Sequence, residues 1–319
     1  MATWRNCDRR AALSGFAELK EMAGRLGMSA PRWLVVLAMV GAASIWSAPV
    51  LAAGHGQPKS GGAASTIGND ISWPQCGGSY PTGQAFGIVG VNDGLANTEN
   101  PCLSSELAWA AKSTGKASSQ AKAQVYVNTA DPGDMYNGNP VSDWPTSGGN
   151  STYGTCTTTI VKTSSGSATV GANTQACAWQ YGYNKATQDA AWVGSSGGSA
   201  SAYPWWLDVE TANSWQTGAS GLAMNVADLQ GMVAGLNAAS GTTTSVGVYS
   251  TASQWSTITG LSSSTASQAG SLYHLAEWLP GARNQRQAAS NCSATSFTGG
   301  PITTTQWTGS VDYDYPCPV

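Results

Sequence analysis

Charge is scarce in this 319-residue sequence: Asp, Glu, Lys and Arg make up 10% of it, with 14 basic against 17 acidic side chains and a formal charge of −3. Beyond residue 32 no Lys/Arg-rich run occurs, so the positive footprint of a nucleic-acid partner is missing and none is expected. Histidine is scarcer still. The 2 in the chain, His55 and His274, cannot build a His-rich zinc site, which disfavours zinc peptidases, zinc amidases and most His-dependent hydrolases. No metal and no cofactor is expected. No G-x-G-x-x-G follows an apolar run, leaving a nucleotide-binding open sheet without its signature. Phenylalanine numbers 3, whereas Trp numbers 14, Tyr 11 and Gly 39. Aromatic rings with a polar handle, set among small-residue loops, suit an exported protein with an aromatic-lined polar cleft.

Residues 33–46, WLVVLAMVGAASIW, follow Arg32 and precede SAPVLA, whose small residues are placed for cleavage after Ala52. This reads as a secretory signal peptide. An uncleaved signal anchor is the alternative, because residues 33–53 carry no charge over a length that spans a bilayer. Pro49 and the small-residue exit favour cleavage. Removing residues 1–52 leaves 267 residues with 8 basic and 14 acidic side chains, a net charge of −6. Six cysteines remain: Cys76, Cys102, Cys156, Cys177, Cys292 and Cys317. An even count in an exported chain predicts disulfides, and sequential pairing closes the shortest loops. Residues 53–66, AGHGQPKSGGAAST, read as a flexible linker, and residues 67–319 as one domain, expected to be a monomer.

Eight short apolar runs read as strands: 67–73, 86–91, 123–128, 205–210, 246–250, 272–278, 303–307 and 310–314. Between them, apolar residues recur at spacings of 3 and 4 through Ala176, Trp179, Tyr183, Ala186, Ala190 and Val193, and through Leu222, Val226, Leu229, Val233 and Leu236. Pro101 and Ser104 or Ser105 open a third helix through Leu107, Ala108 and Ala111. Strands alternating with helices predict parallel pairing in an α/β architecture. Eight such strands make a (β/α)8-type TIM barrel the expected fold, with helices short or missing between the last strands. A doubly wound open sheet is the alternative.

The run Trp205-Trp206-Leu207-Asp208-Val209-Glu210 carries the sharpest chemical signal. Residues two apart share one face of a strand, so Asp208 and Glu210 project together while Leu207 and Val209 face the helix layer. Two neighbouring carboxyls deprived of water raise the pKa of at least one of them, which makes a general acid available at neutral pH. Asp70, Asp93, Glu277, Asp312 and Asp314 lie at or near other strand ends, predicting an acidic cup at one end of the barrel. Trp73, Trp278 and Trp307 lie close to these acids in sequence. An aromatic face beside carboxylates is what a sugar needs: a flat apolar platform for its C–H face and acceptors for its hydroxyls.

The order of these motifs resembles the family 25 glycoside hydrolases, the secreted lysozymes of the Chalaropsis type, which cleave the β-1,4 bond between N-acetylmuramic acid and N-acetylglucosamine. GNDISWPQ at 68–75 is similar to the family's opening strand, and L-D-V-E at 207–210 matches its acid motif. FGIVGVNDG, VYVNTADPG, VYST, TQW and VDYD resemble later elements in the same order. The resemblance implies a TIM barrel that hydrolyses peptidoglycan or a related polysaccharide. It makes Glu210 the general acid and Asp208 its partner carboxylate, with Asp70 and Asp312 as flanking acids. Trp73, Asp93, Asn128, Trp206, Tyr249, Glu277, Trp278 and Trp307 are the expected substrate-binding residues. The chain departs from the family in having Asp93 in place of Glu, Asn128 where His is common, Glu277 in the sixth strand, and a Gly/Ser/Thr-rich insertion over 134–174 that is placed to lid the cleft. A non-catalytic carbohydrate-binding protein on the same scaffold is the alternative function.

Overall fold

The computed structural model describes residues 65–241 and 245–318. The expected signal segment and linker residues 53–64 lie outside the described residues.

Eight strands close a barrel: β1 (Gly68–Ile71), β2 (Gly87–Gly90), β3 (Ala123–Asn128), β4 (Trp205–Asp208), β5 (Val246–Tyr249), β6 (Ala276–Ala282), β7 (Ile302–Thr308) and β8 (Asp312–Pro316). Neighbours from β1 through β7 pair in parallel. The expectation of parallel pairing fails at the closure, because β8 runs antiparallel to both β7 and β1. Only three residues, Gly309–Val311, separate β7 from β8, too few for the helical crossover that parallel neighbours require. The barrel is thus α/β with a helix-free seam.

Side-chain alternation divides each strand between two cores. Val89, Val125, Val127, Leu207 and Val248 turn outward and bury against Ala186, Leu229, Met232 and Leu236 of the helix layer. Full burial of each such side chain contributes about 1.5–3 kcal/mol. Inward, Ile88, Trp206 and Trp278 fill the barrel with Phe86. These rings need small neighbours: a Cβ at Gly247 would collide with the Trp206 ring, and one at Gly90 with Ser72 and Tyr126.

The three expected helices are α1 (Leu103–Ala110), α2 (Gln175–Ser195) and α3 (Gly218–Ser240). Thr174 caps α2 by accepting from Cys177 N, and Gly241 ends α3 at φ +68°. Their buried stripes differ from the expected ones. Trp179 and Tyr183 stack on each other at 5.3 Å outside the buried set of α2, which takes in Lys185 and Asp189 instead. Two short helices without a readable apolar period, α4 (Ala252–Thr259) and α5 (Gln285–Asn291), complete the layer.

The sixth strand begins at Ala276, four residues later than expected. Leu272 ends a 3-10 segment and is fully buried in the helix-facing core, and His274 turns the chain at φ +65°. An apolar residue that serves a helical turn is indistinguishable by pattern from one that starts a strand.

The insertion after β3 forms two-stranded ribbons, the longest being Thr158–Thr163 paired with Gly166–Gly171. Disulfides join Cys76 to Cys102, Cys156 to Cys177 and Cys292 to Cys317, the sequential pairing expected. The Cys156–Cys177 bridge ties the ribbon to the first turn of α2. Among the described residues, no helix is long and apolar enough to cross a membrane.

Candidate active site

Beyond β4 the chain continues through Val209 to Glu210. Trp205, Leu207 and Val209 lie in the helix-facing core and Trp206 in the barrel interior, so Asp208 and Glu210 share the inner face at the carboxyl end of the strand. This is the end of a barrel at which loops and catalytic groups gather.

Asp208 is 8% exposed. With the Asn128 amide oriented to satisfy both its neighbours, its nitrogen donates to Asp208 Oδ2 at 2.9 Å and its oxygen accepts from Leu95 N at 3.2 Å. Asp208 Oδ1 has no hydrogen-bond partner. Burial, then the charges of Glu210 and Asp70, hold this carboxyl well above the usual carboxylate range.

Glu210 is half-buried at the mouth. Its Oε1 accepts from Gln254 Nε2 at 3.4 Å, and Gln254 is itself oriented because its Oε1 accepts from Thr211 N at 2.8 Å and Thr211 Oγ1 at 3.1 Å. Gln254 stands in the first turn of α4, where Thr251 caps its backbone N–H. The Glu210 carbonyl accepts from Trp215 Nε1 at 2.8 Å, which pins the loop that carries the acid.

A second group of acids comes from the closure. Asp70 of β1 sits opposite Asp312 of β8, and Gly68 opposite Asp314, so the three carboxyls share one face. Burial, followed by the charge of Asp312, pushes Asp70 up to about 7, while Gln306 and Asp314 counteract by hydrogen bonding. Gln306 Nε2 donates to Asp70 Oδ2 at 2.9 Å, and Tyr249 OH donates to Gln306 Oε1 at 2.9 Å. Asp314 is fully buried, and its carboxyl lies well above the usual range, first by burial and then by the charge of Asp70. Asp70 and Asp208 interact electrostatically, placing the two groups around one cup.

The structure thus brings together Glu210, Asp208, Asp70, Asp312, Asn128 and Tyr249. Asp93 is half-buried in the loop after β2, and Trp73 is 45% exposed beside Gly94 of that loop, at the rim. Four expectations need correction. Glu277 points away from the cup: its Oε1 accepts from Ser296, Phe297 and Thr298 of the loop before β7. Trp307 faces the outer wall, stacked on Tyr313 at 5.1 Å, because odd and even positions of β7 take opposite faces. Trp206 and Trp278 face inward but are 4% and 2% exposed, so they form the packed floor beneath the acids. Trp206 spends its N–H on Gln124 Oε1 at 2.7 Å.

Sequence reasoning counted Asp314 among the acids of the cup without giving it a role, and missed Gln306 and Gln254. Strand alternation pointed to Gln306, since it faces Asp314 across the β7–β8 ladder. Gln254 had no sequence signal beyond its place after a capping threonine. Among the described residues, no group of three or more His, Cys, Asp and Glu is arranged to hold a metal ion. What the cup can do is hold a proton on Asp70, raised to about 7, disfavour ionisation of buried Asp208 and Asp314, and present one half-buried carboxyl, Glu210, above them.

No family model matches this chain, and no curated protein matches it. Among solved structures it is similar to a muramidase from Trichobolus zukalii, at TM-score 0.41 and 15% identity over 80% of this chain and 95% of that one. It is also similar to a muramidase from Acremonium alcalophilum, at TM-score 0.40 and 14% identity over 80% and 95% of the respective chains.

Proposed function

We propose that the protein is an exported glycoside hydrolase acting on a β-1,4-linked polysaccharide, with peptidoglycan as the substrate class. The observation that carries this reading is the stacking of Glu210 above Asp208 on the inner face of β4, with Asp70 across the cup. Burial and the charges of Glu210 and Asp70 disfavour ionisation of Asp208, and Glu210 is the carboxyl of the two that a substrate can reach. Its protonated form delivers a proton to the glycosidic oxygen as the C–O bond breaks, and the leaving sugar departs as an alcohol. Asp208 lies beneath as the second carboxyl, whose ionised form stabilises the oxocarbenium-like carbon. Water then adds to that carbon and returns a proton to Glu210. Export through the signal segment is part of the same reading and is supported by the three disulfides, which persist in oxidising compartments.

The test is release of reducing ends from purified peptidoglycan by the mature chain and by Glu210→Gln. The expected result is a loss of roughly 10²–10⁴-fold in the variant, the worth of a positioned proton donor. Release unaffected by Glu210→Gln overturns the assignment of the acid. Retention on the polymer without any product from the parent replaces the enzyme reading with the binding protein.

A further inference from the structure

We propose a second, non-catalytic binding site on the outer wall of the barrel at β7 and β8, taking an uncharged, hydroxyl-rich stretch of polysaccharide. The polymer's identity rests on the function proposed above; the site itself rests on separate residues.

Elsewhere the outer faces of the strands carry Val and Leu beneath helices. At the closure no helix links β7 to β8; α5 covers outward Thr305, whose hydroxyl donates to Ala288 O, and the other outward residues near the rim are aromatic: Trp307 and Tyr313, with Tyr315 beyond them. The Trp307 and Tyr313 rings lie at 11° to each other with centroids 5.1 Å apart. Beside them runs a groove of about 280 Å³, lined by both rings together with Asn69, Gln84 and Gln285. A neighbouring depression shares Gln285 and reaches Tyr315 and Arg286. The Gln285 side chain makes no hydrogen bond within the described residues, yet it borders both concavities. No acid, lysine or arginine lines the groove beside the stacked pair, which fits a neutral ligand. Asn69 and Gln84 are buried and spend their amide nitrogens on Asp312 O and on Trp109 O and Ser113 Oγ, so a sugar ring offers its C–H face to the aromatic rings and its hydroxyls to the Gln285 amide.

Position supplies the occupant. Thr308 pairs with Asp312, and Trp307 pairs with Tyr313, so the stack begins one residue from the acid at the rim. The rim there is a three-residue turn, Gly309–Val311, against the long loops that wall the cup after β2 and β3. A polymer strand leaving the cup over this low edge meets the Trp307–Tyr313 stack. The outer wall thereby holds the strand while the cup acts on it.

The experiment measures retention of the mature chain on insoluble peptidoglycan and on insoluble chitin, in the Glu210→Gln background so that turnover does not release it. Trp307→Ala and Tyr313→Ala are expected to raise the half-saturating concentration about fivefold each, the worth of one aromatic contact. Trp307→Phe is expected to keep most of the retention, and near-UV circular dichroism reports folding. Should Trp307→Ala fail to fold, Gln285→Ala on the surface of α5 decides, with an expected weakening of about twofold. Retention unchanged in the folded variants overturns the proposal, as does a parent retained on neither polymer. A monomer–dimer equilibrium that Trp307→Ala abolishes also overturns it and assigns the face to a second copy of the chain. Retention that depends on Trp307 while the parent releases no product leaves this site standing and removes the catalytic reading of the cup. Product release with retention indifferent to Trp307 does the reverse.

Discussion

Gln306 donates to Asp70 at 2.9 Å and accepts from the Tyr249 hydroxyl at 2.9 Å, so one amide ties β1, β5 and β7 together across the cup. Gln306→Leu removes both bonds and strands a buried carboxyl and a hydroxyl. The expected cost is about 1–3 kcal/mol in urea unfolding. Asp70, already raised to about 7 by burial and by Asp312, loses the hydrogen bond that counteracts them and is expected to titrate higher by carboxyl NMR. A downward movement would mean that the amide does not favour the ionised form.

Gln254 holds Glu210 from one side while Thr211 holds Gln254. In the proposed hydrolase, Gln254→Ala is expected to lower kcat about tenfold with KM nearly unchanged, because the acid loses its orientation and not its contact with bound sugar. A rise in KM at constant kcat would place Gln254 in ground-state binding.

Stability should rise on acidification from pH 8 to pH 5. Burial pushes Glu106 and Asp131 up to about 7 and Asp189 up to about 8, alongside Asp70 at about 7. Each folded-state value lies above its unfolded one, so the folded state binds the extra protons. The stability these groups contribute is therefore complete below about pH 4 and is lost as pH rises through 7 to 8. The expected effect is a Tm higher by roughly 5 °C or more at pH 5 than at pH 8. Asp189→Asn keeps the hydrogen-bonding outline beside Asn92, whose Nδ2 lies 3.0 Å from Asp189 Oδ1, and should flatten part of that slope. Calorimetry across this range checks the sign.

Helices α2 and α3 touch through glycine. A Cβ at Gly231 would overlap the Trp179 carbonyl, and one at Gly182 would overlap the Asp228 carbonyl. Ala normally favours a helix over Gly by about 1 kcal/mol, but backbone cannot yield as a side chain tip can. Gly231→Ala is thus expected to destabilise by about 1–3 kcal/mol, and thermal unfolding with a raised Tm would contradict the close packing.

Much of the fold is readable along the chain because a strand's period of two survives in a barrel whose two faces are both covered. All eight barrel strands overlap segments that read as strands, and Ala123–Asn128 matches at both ends. The antiparallel closure was legible only in the shortness of 309–311, a signal outweighed by the βα rhythm upstream. Helices α4 and α5 escaped because Ser, Thr, Gln and Asn fill them, and such residues are at home in loops as well. Lys185, Asp189 and Asp228 are buried in α2 and α3, which shifts the inward stripe away from the one that apolar spacing draws.

By itself the sequence determined the pairing of Asp208 with Glu210, since adjacency at i and i+2 on one strand is a local fact of backbone geometry. It also determined the apolar strands and the short loops that each disulfide closes. Only the tertiary structure decided which acids share the cup. Glu277 and Trp307 stand beside inward-facing residues in sequence, yet point the other way, while Asp314 and Gln306 reach Asp70 from strands more than 230 residues distant. Closing the barrel sets the register between its first and last strands, and that register selects the side chains that meet inside.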